Sequence, residues 1–296
     1  METENLLLEH RAIPEEARYK SDPNELEGFY DWKGNPARKD RHDGTVSTIF
    51  LNVMVGFENL AFMPIVLNLV TYFTRFMHMD MAEAANAVTN FMGTTFQLTL
   101  FGGFVSDSYI NKFKTSVLVA CIQLSIRTLY SPSWIFLYDM GRNDVYYFLQ
   151  GYSILLIQAH DDSLKPPPCT VFGNYCVKVS GDKAVMLFLG LYLIAVGNGS
   201  LNAVLPGLGA DQFDERDPIE RRKIPTFFNM YNFSLSMGSA LGTTLVVWVQ
   251  NKKGWDAGLG ISTRAVFLAI ISVIAGSTTY RNRVPGGSLF TRILQV

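Results

Sequence analysis

Residues 209–223 read GADQFDERDPIERRK and separate two long apolar runs. The run before them, residues 184–208, reads AVMLFLGLYLIAVGNGSLNAVLPGL, and the run after them, residues 224–249, reads IPTFFNMYNFSLSMGSALGTTLVVWV. Each run is long enough to cross a bilayer as a helix, and neither contains a formal charge. Because so many charges cannot lie in hydrocarbon, we expect the charged segment (residues 209–223) to lie at a membrane surface and to join two spans.

The composition of the whole chain fits the same plan. Of the 296 residues, 48% are hydrophobic and only 17% are charged, against about 25% charged residues in an average soluble domain. The charges are grouped in blocks between apolar runs, which indicates a helical membrane protein that crosses the bilayer several times. The net charge of −1 and the lack of a basic arm argue against a nucleic-acid partner.

The apolar pattern predicts an all-α membrane protein with a six-helix bundle over residues 45–283. A cytoplasmic polar tail, residues 1–44, precedes the bundle, and residues 284–296 begin a cytoplasmic linker. The predicted spans are residues 45–72, 84–105, 115–157, 184–208, 224–249 and 263–280.

The third predicted span is interrupted by polar residues. Its two apolar parts, residues 115–124 and 146–157, each fall short of the ~20 residues that a span needs. Either one helix has been split by an insertion, or one of the parts recruits residues such as 134–138 from the intervening stretch.

Lysine and arginine predict the orientation of the bundle. With the tail in the cytoplasm, most of the cations lie on the cytoplasmic side, and both chain ends lie there too. The cytoplasmic cations are Arg38, Lys39, Arg41, Lys112, Lys114, Arg216, Arg221, Arg222, Lys223, Arg281, Arg283 and Arg292; those opposite are Arg75, Lys165, Lys178, Lys183, Lys252 and Lys253. Cys169 and Cys176 then lie outside, where a disulfide can form; two free thiols are the alternative.

Six short motifs follow one another along nearly the whole chain: DWKGNPA (residues 31–37), NLVTY (68–72), DSY (107–109), LKPPPC (164–169), GADQFD (209–214) and FFN (227–229). In this order they resemble the plant nitrate and peptide transporter family, the proton-dependent oligopeptide transporter branch of the major facilitator superfamily. The resemblance implies two six-helix halves around a central cavity, and this chain looks like the N-terminal half only.

The resemblance also predicts how the chain departs from the family. It ends just after the sixth span, where the family continues into a linker and a second half, so we expect a truncated product or a partial gene model. Residues from about 125 to 150 have no counterpart in the family's continuous third helix. A retained non-coding segment would explain them, and a true loop insertion is the alternative.

Glu58 is the strongest candidate for a functional residue, because a carboxylate in mid-membrane is costly. The family carries a Glu-x-x-Glu-Arg/Lys motif on this helix, linked to proton coupling. Here Val55 and Asn59 stand at the first acidic and the basic positions, and the family's fourth-span lysine aligns with Asn202. Glu58 therefore either takes part in proton coupling, or it hydrogen-bonds an amide such as Asn59 and locks helix packing.

Two further groups of polar residues are candidates. Amides inside the apolar spans suit a solute cavity and equally suit hydrogen bonds between helices; they are Asn59, Asn68, Gln97, Asn198, Asn202 and Asn229. Asp107, with Lys112 and Lys114, resembles the loop after the second span of major facilitators, where a carboxylate gates the cytoplasmic side. A solvated loop charge is the alternative.

An enzyme is not expected. The sequence Gly197-Asn198-Gly199 lacks the third glycine and the strand–turn–helix setting of a dinucleotide fingerprint, and the four histidines show no metal spacing. No cofactor or metal is therefore predicted.

The predicted function is transport of a small solute across a lipid bilayer. The resemblance implies nitrate, a hormone-like carboxylate or a peptide as substrate, proton symport through a degenerate motif, and the plasma membrane in preference to the vacuolar membrane. The alternative is a truncated half that transports nothing and is inactive or interacts with a full-length relative.

Overall fold

The computed structural model describes residues 25–123, 151–167, 169 and 176–283. A hairpin of two antiparallel strands, β1 (Glu25–Tyr30) and β2 (Pro36–Arg38), precedes the helices. The helices are α1 (Gly44–Arg75), α2 (Met81–Ser108), α3 (Lys112–Gln123), α4 (Gly151–His160), α5 (Asp182–Ala210), α6 (Pro218–Arg221), α7 (Ile224–Leu241), α8 (Val247–Lys253) and α9 (Trp255–Ala275), with short 3₁₀ turns at Asp162–Leu164 and Gly276–Thr278.

Three helices among the described residues are long and apolar enough to cross a membrane: α1, α5, and α9 with its final turn to Thr278. α2 is also long, at 28 residues. α7 and α8 follow each other without a break through a π turn at Gly242–Val246. The structure is thus the helical bundle that the apolar pattern predicts.

Helices α1 and α5 are the centres of two packed groups. α1 packs against α7 and α9, whereas α5 packs against α2, α3 and α4, and α9 also contacts α3 and α4. Leu51 and Phe73 of α1 and Leu187 and Ile194 of α5 are fully buried in one continuous apolar core. This arrangement buries one face of each long helix inside the bundle and leaves another face exposed.

Helices α3 and α4 lie one after the other along α5. At the start of α3, Lys112 forms an ion pair with Asp211, just beyond the end of α5. Near the end of α4, the side-chain nitrogen of Gln158 donates a 2.8 Å hydrogen bond to the carbonyl oxygen of Lys183, at the start of α5. The two helices therefore run one after the other and antiparallel to α5, as the two parts of a single split span would. The predicted insertion around residues 125–150 lies almost entirely outside the described residues.

The two ends of the bundle differ in their contacts. At one end, here called the charged end, the charged segment meets the hairpin, the α2–α3 loop and the residues after α9 through Lys39–Asp217, Lys112–Asp211, Arg281–Glu220 and Arg283–Asp211 ion pairs. The other end, here called the disulfide end, holds Lys178–Glu83 and His160–Asp256 pairs and a Cys169–Cys176 disulfide. The four cations of these charged-end pairs all belong to the set that the sequence predicts on the cytoplasmic side.

The hairpin is a departure from the predicted polar tail. Leu26, Phe29 and Ala37 are buried, and they form a small apolar cluster of their own. Tyr30 pairs through its backbone with Asn282, beyond α9. Alternating apolar residues over so few positions are a weak signal in a charged stretch, so the sequence predicts only a polar tail here. Residues 1–24 and 284–296 lie outside the described residues.

The last long helix begins earlier than predicted, at Trp255 rather than near residue 263. The charges of Lys252, Lys253 and Asp256 made this stretch look like a loop. Gly254 ends α8 with a φ of 115°, a backbone conformation that favours glycine. The ring of Trp255 then packs against Tyr72 of α1, with 4.5 Å between ring centroids, so burial of an aromatic side chain fixes the helix start.

Glycines allow the closest contact between α1 and α7. A methyl group added at Gly238 would collide with the carbonyl oxygen of Gly56. We expect Gly238→Ala to push the two helices apart and to lower the melting temperature of the purified chain in detergent, since overpacking costs about 1–3 kcal/mol.

The matched control is Gly93→Ala on α2, because an added methyl group there meets nothing within 4 Å. This change should leave the melting temperature unchanged or raise it, since alanine is the better helix former by about 1 kcal/mol. Equal melting temperatures for the two variants would contradict the proposed role of the α1–α7 contact.

Candidate functional site

A row of three hydrogen-bonded polar side chains, Glu58, Asn198 and Asn202, connects α1 with α5 and is here called the polar file. Glu58, midway along α1, is 3% exposed, and Asn198 of α5 is 1% exposed. The side-chain nitrogen of Asn198 donates to Oε1 of Glu58 at 3.4 Å, and that of Asn202 donates to Oδ1 of Asn198 at 2.9 Å. Because Asn202 is exposed one turn further along α5, the file leads from a buried carboxylate to the surface of the bundle.

The residues around Glu58 show which helices its carboxylate faces. Asn59 turns away and donates to the carbonyl oxygen of Val55 in its own helix, at 3.0 Å. Tyr152 of α4 is completely buried and lies within electrostatic range of the Glu58 carboxylate. Within the described residues, the Tyr152 hydroxyl has no hydrogen-bond partner. Glu58 therefore faces α4 and α5 together, and its amide partner is Asn198 rather than Asn59.

The remaining amides lie apart from this file. Gln97 and Asn229 are exposed, on α2 and α7. Asn68 is buried near the end of α1, where it donates a 3.0 Å hydrogen bond to Oε1 of Gln250 in α8. The structure thus brings together Glu58, Asn198 and Asn202 and separates the others.

The exposed part of α7 has two different faces. One is apolar and carries Met230, Met237 and Leu241, and it continues into Leu245 of the π turn and Trp248 of α8. The other carries Asn229, Asn232 and Ser236, which are also exposed. An apolar face suits lipid, whereas amides and hydroxyls in the hydrocarbon need protein or water partners. The polar face of α7 is therefore suited to a cavity or to a protein surface.

The gating candidates separate in the structure. Lys112 pairs with Asp211, with 2.7 Å between Nζ and Oδ2, rather than with Asp107. Asp211 also lies 3.6 Å from Arg283. Asp107 is half-buried and Lys114 is exposed. The α2–α3 loop is thus held to the charged segment through Asp211, a residue that sequence analysis did not place in the gating group.

Arg281 is the largest fully buried side chain of the described residues, and sequence analysis used it only to predict orientation. Its guanidinium makes two contacts with Glu220, at 2.6 and 3.2 Å, and its Nε donates to the carbonyl oxygen of His42 at 2.8 Å. The side chain of Gln212 bonds both the N–H and the carbonyl of Arg281. The sequence does contain one signal for this ion pair: Arg281 directly follows a predicted span, on the same predicted side of the membrane as the carboxylates of the charged segment.

The pair between Arg281 and Glu220 is charged at neutral pH. Burial alone would raise the pKa of Glu220, but hydrogen bonds from the Arg281 side chain and the Asp214 N–H hold that pKa below its usual value of 4.5. Because the pKa of Glu220 is lowered in the folded state, the ion pair contributes its full stabilisation of the folded chain above pH 4.5. This contribution is lost as the pH falls through the lowered pKa.

The disulfide end contains a further polar contact. Cys169 and Cys176 are joined by a disulfide, and Nε2 of His78 lies 3.6 Å from the sulfur of Cys169. Over the ranges that the structure describes, no three His, Cys, Asp or Glu side chains are grouped as a metal site would need.

Comparison with known proteins gives a consistent result. The family model described as "PTR2: POT family" matches residues 145–296. Protein NRT1/ PTR FAMILY 4.6 of Arabidopsis thaliana is 42% identical over 270 residues, which cover 91% of this chain and 42% of that protein. Protein NRT1/ PTR FAMILY 4.5 of the same plant is 39% identical over 282 residues, covering 95% and 45%.

Solved structures support the fold. The in meso crystal structure of the POT family transporter PepTSo superposes with a TM-score of 0.62 at 16% identity, covering 84% of this chain and 41% of that one. The chain therefore has the helical-bundle fold of this transporter structure. The chain belongs to the POT family. It spans less than half the length of the curated relatives it matches.

The buried ion pair gives a direct test of how the charged end is held. We expect Arg281→Gln to destabilise the purified chain by about 3–5 kcal/mol, since it leaves a partly buried carboxylate without its cation. The measurement is the melting temperature in detergent at pH 7. Arg283→Gln is the control, because Arg283 is 40% exposed and an exposed pair contributes about 0–1 kcal/mol. A smaller loss for Arg281→Gln than for the control would contradict this assignment.

Proposed function

We propose that this chain forms one half of a transporter that moves a small solute by alternating access, with the solute site between two halves near the middle of the membrane. The observation that carries the proposal is the file of Glu58, Asn198 and Asn202, which links a buried carboxylate to an exposed face of α5. Family membership supports a transporter in preference to an enzyme.

The proposed substrate is nitrate or a hormone-like carboxylate, with a peptide as the third option. By the resemblance, Asn59 stands at the basic position of the family motif, and Asn202 stands where the family has a lysine in its fourth span. Amide N–H groups donate hydrogen bonds to anionic oxygens without holding a fixed charge, which suits a small anion that must also be released. The degenerate Glu-x-x-Glu-Arg/Lys motif argues, by family analogy, against a peptide.

Glu58 is the proposed proton carrier of a symport mechanism. A hydrogen bond from the Asn198 amide can be accepted by an ionised carboxylate and equally by the carbonyl oxygen of the neutral acid. Glu58 can therefore change its protonation state and keep this partner. In the alternative role the same hydrogen bond only locks α1 to α5. The geometry is the same in both roles, so it cannot separate them. The pH dependence of uptake can, because only a proton carrier changes its protonation state during transport.

The discriminating experiment is uptake by a full-length parent protein that carries Glu58→Gln. We expect uptake of the labelled substrate to lose its stimulation by an acidic outside pH, because glutamine keeps the hydrogen bond but cannot carry a proton. Glu83→Gln is the control, since Glu83 is a partly exposed carboxylate at the disulfide end. Uptake with an unchanged pH profile in Glu58→Gln would leave only the packing role.

A second candidate function is that this chain alone transports nothing and binds a full-length relative. It is favoured by the polar surfaces that the half-bundle leaves exposed, which include Gln97, Asn202 and Asn229. A half-bundle supplies only one wall of a transport cavity and cannot enclose a solute by itself. Its exposed polar side chains need protein or water as hydrogen-bond partners.

Uptake by the chain reconstituted alone in liposomes separates the two functions. For an inactive half we expect uptake no higher than in empty liposomes, together with recovery of a full-length relative when the tagged chain is isolated from its own membranes. Uptake above the empty-liposome level would refute the non-transporting function. A variant with Glu58→Gln, measured in parallel, shows whether any uptake depends on the buried carboxylate.

The proposed location is a plasma membrane, with the charged end in the cytoplasm and the disulfide end outside. The excess of lysine and arginine at the charged end supports this orientation. A disulfide between Cys169 and Cys176 also suits an oxidising compartment.

A further inference from the structure

A groove of about 310 Å³ opens at the charged end, beside the helices that would enter the membrane. It lies between the turn of the hairpin, the start of α3 and the residues that follow α9. Its walls include Asp31, Trp32, Lys33, Lys114, Asn282 and Arg283. Neither the polar file nor the proposed transport mechanism uses this groove.

The groove is rich in positive charge. Lys33, Lys114 and Arg283 contribute three cations, and no described carboxylate forms an ion pair with either lysine. The single acid, Asp31, has its oxygens occupied inside the hairpin turn, where they accept hydrogen bonds from the Lys33 N–H and from the backbone and side chain of Asn35. Lys33 and Lys114 therefore have no carboxylate partner among the described residues, whereas Arg283 pairs with Asp211 at 3.6 Å. The three cations of the groove wall still outnumber its one carboxylate, Asp31.

Asn282 is a second, independent sign that the groove is built for a ligand. It is 4% exposed, and neither atom of its side-chain amide has a hydrogen-bond partner among the described residues. Its backbone N–H and carbonyl are already paired with Tyr30, at 2.8 and 2.9 Å. A buried amide without partners costs free energy, and a polar ligand in the groove would relieve that cost.

The aromatic side chain in the groove places it at the membrane surface. Trp32 is 44% exposed, and the ammonium of Lys33 lies 5.0 Å from its ring centroid. Tryptophan next to basic residues is typical of the level of lipid headgroups. Basic clusters beside membrane spans attract anionic groups at the cytoplasmic surface.

We propose that this groove binds a phosphate group. Lys33, Lys114 and Arg283 hold its anionic oxygens, the Asn282 amide donates a further hydrogen bond, and Trp32 covers one side. The phosphate belongs either to the headgroup of an anionic lipid or to a free phosphate ion, and the cations recognise the same chemistry in both.

The test uses the purified full chain and two probes. In the first arm, native mass spectrometry counts bound phosphatidylglycerol, with phosphatidylcholine as the neutral comparison. In the second arm, inorganic phosphate is titrated while tryptophan fluorescence is recorded, and Trp32→Phe identifies the signal of Trp32. The test variant combines Lys33→Gln with Lys114→Gln. The control combines Lys252→Gln with Lys253→Gln, which removes the same charge from exposed positions in the last turn of α8.

We expect the Lys33/Lys114 variant to lose about 30-fold in affinity in one arm, since each lysine near an anionic group contributes a factor of about five, and the control to bind as the unmodified chain does. A loss in the lipid arm identifies a headgroup, and a loss in the phosphate arm identifies a free ion. Equal binding by the test variant and the control in both arms overturns the proposal, as does the absence of binding to the unmodified chain in both.

Discussion

A polar group inside a bilayer has no water to bond with, so it depends on partners supplied by the protein. Helix α1 shows how this bundle meets that requirement. Its Asn68 bonds Gln250 of α8, and the Phe50 carbonyl accepts from the Ser272 hydroxyl of α9 at 2.8 Å. Bonds of this kind stabilise by about 0.6–2 kcal/mol each in membranes. They also fix which faces of the helices meet, because an apolar surface alone specifies no rotation about the helix axis.

The buried carboxylate follows the same rule in a more demanding form. An ionised group in a low-dielectric interior is expensive unless it is paired or hydrogen-bonded. Glu58 meets the requirement with an amide, and the amide is itself supported by a second amide, Asn202. At the charged end the opposite solution is used, since Arg281 has a true counter-ion in Glu220. Within the described residues, a buried carboxylate of the interior is thus bonded by an amide, whereas one at the charged end is bonded by a guanidinium.

Much of this architecture could be predicted from the sequence. Long apolar runs predict the positions of α1 and α5 to within three residues, because the length of an apolar run is set by the thickness of a bilayer. The start of α9 could not be predicted, since a local pattern of charges does not show that Trp255 will be buried against Tyr72. The hairpin was missed for the same reason. Its strand pairing with Asn282 spans most of the chain and leaves no local signal.

The candidate site was predictable in part. The composition of α1 made Glu58 stand out, because a lone acid in an apolar helix is unusual. Its partner could not be chosen from sequence. Asn59 is the nearest amide along the chain, but it lies on a neighbouring face of the helix and bonds its own backbone. Asn198 is distant in sequence and adjacent in space, and only the packing of α1 near α5 establishes that.

The π turn at Gly242–Val246 lies beside an irregularity in α1. Pro64 cannot donate a backbone hydrogen bond to the Leu60 carbonyl, and Gly242 approaches that same carbonyl, where an added methyl group would lie 2.6 Å from the oxygen. Both helices therefore depart from regular α-helical hydrogen bonding at one shared level of the bundle. Were the π turn to tighten into a regular helix, everything beyond it would swivel by roughly 100° for each residue displaced. Gln250 would then leave Asn68, so the hydrogen bond between α1 and α8 depends on the π turn.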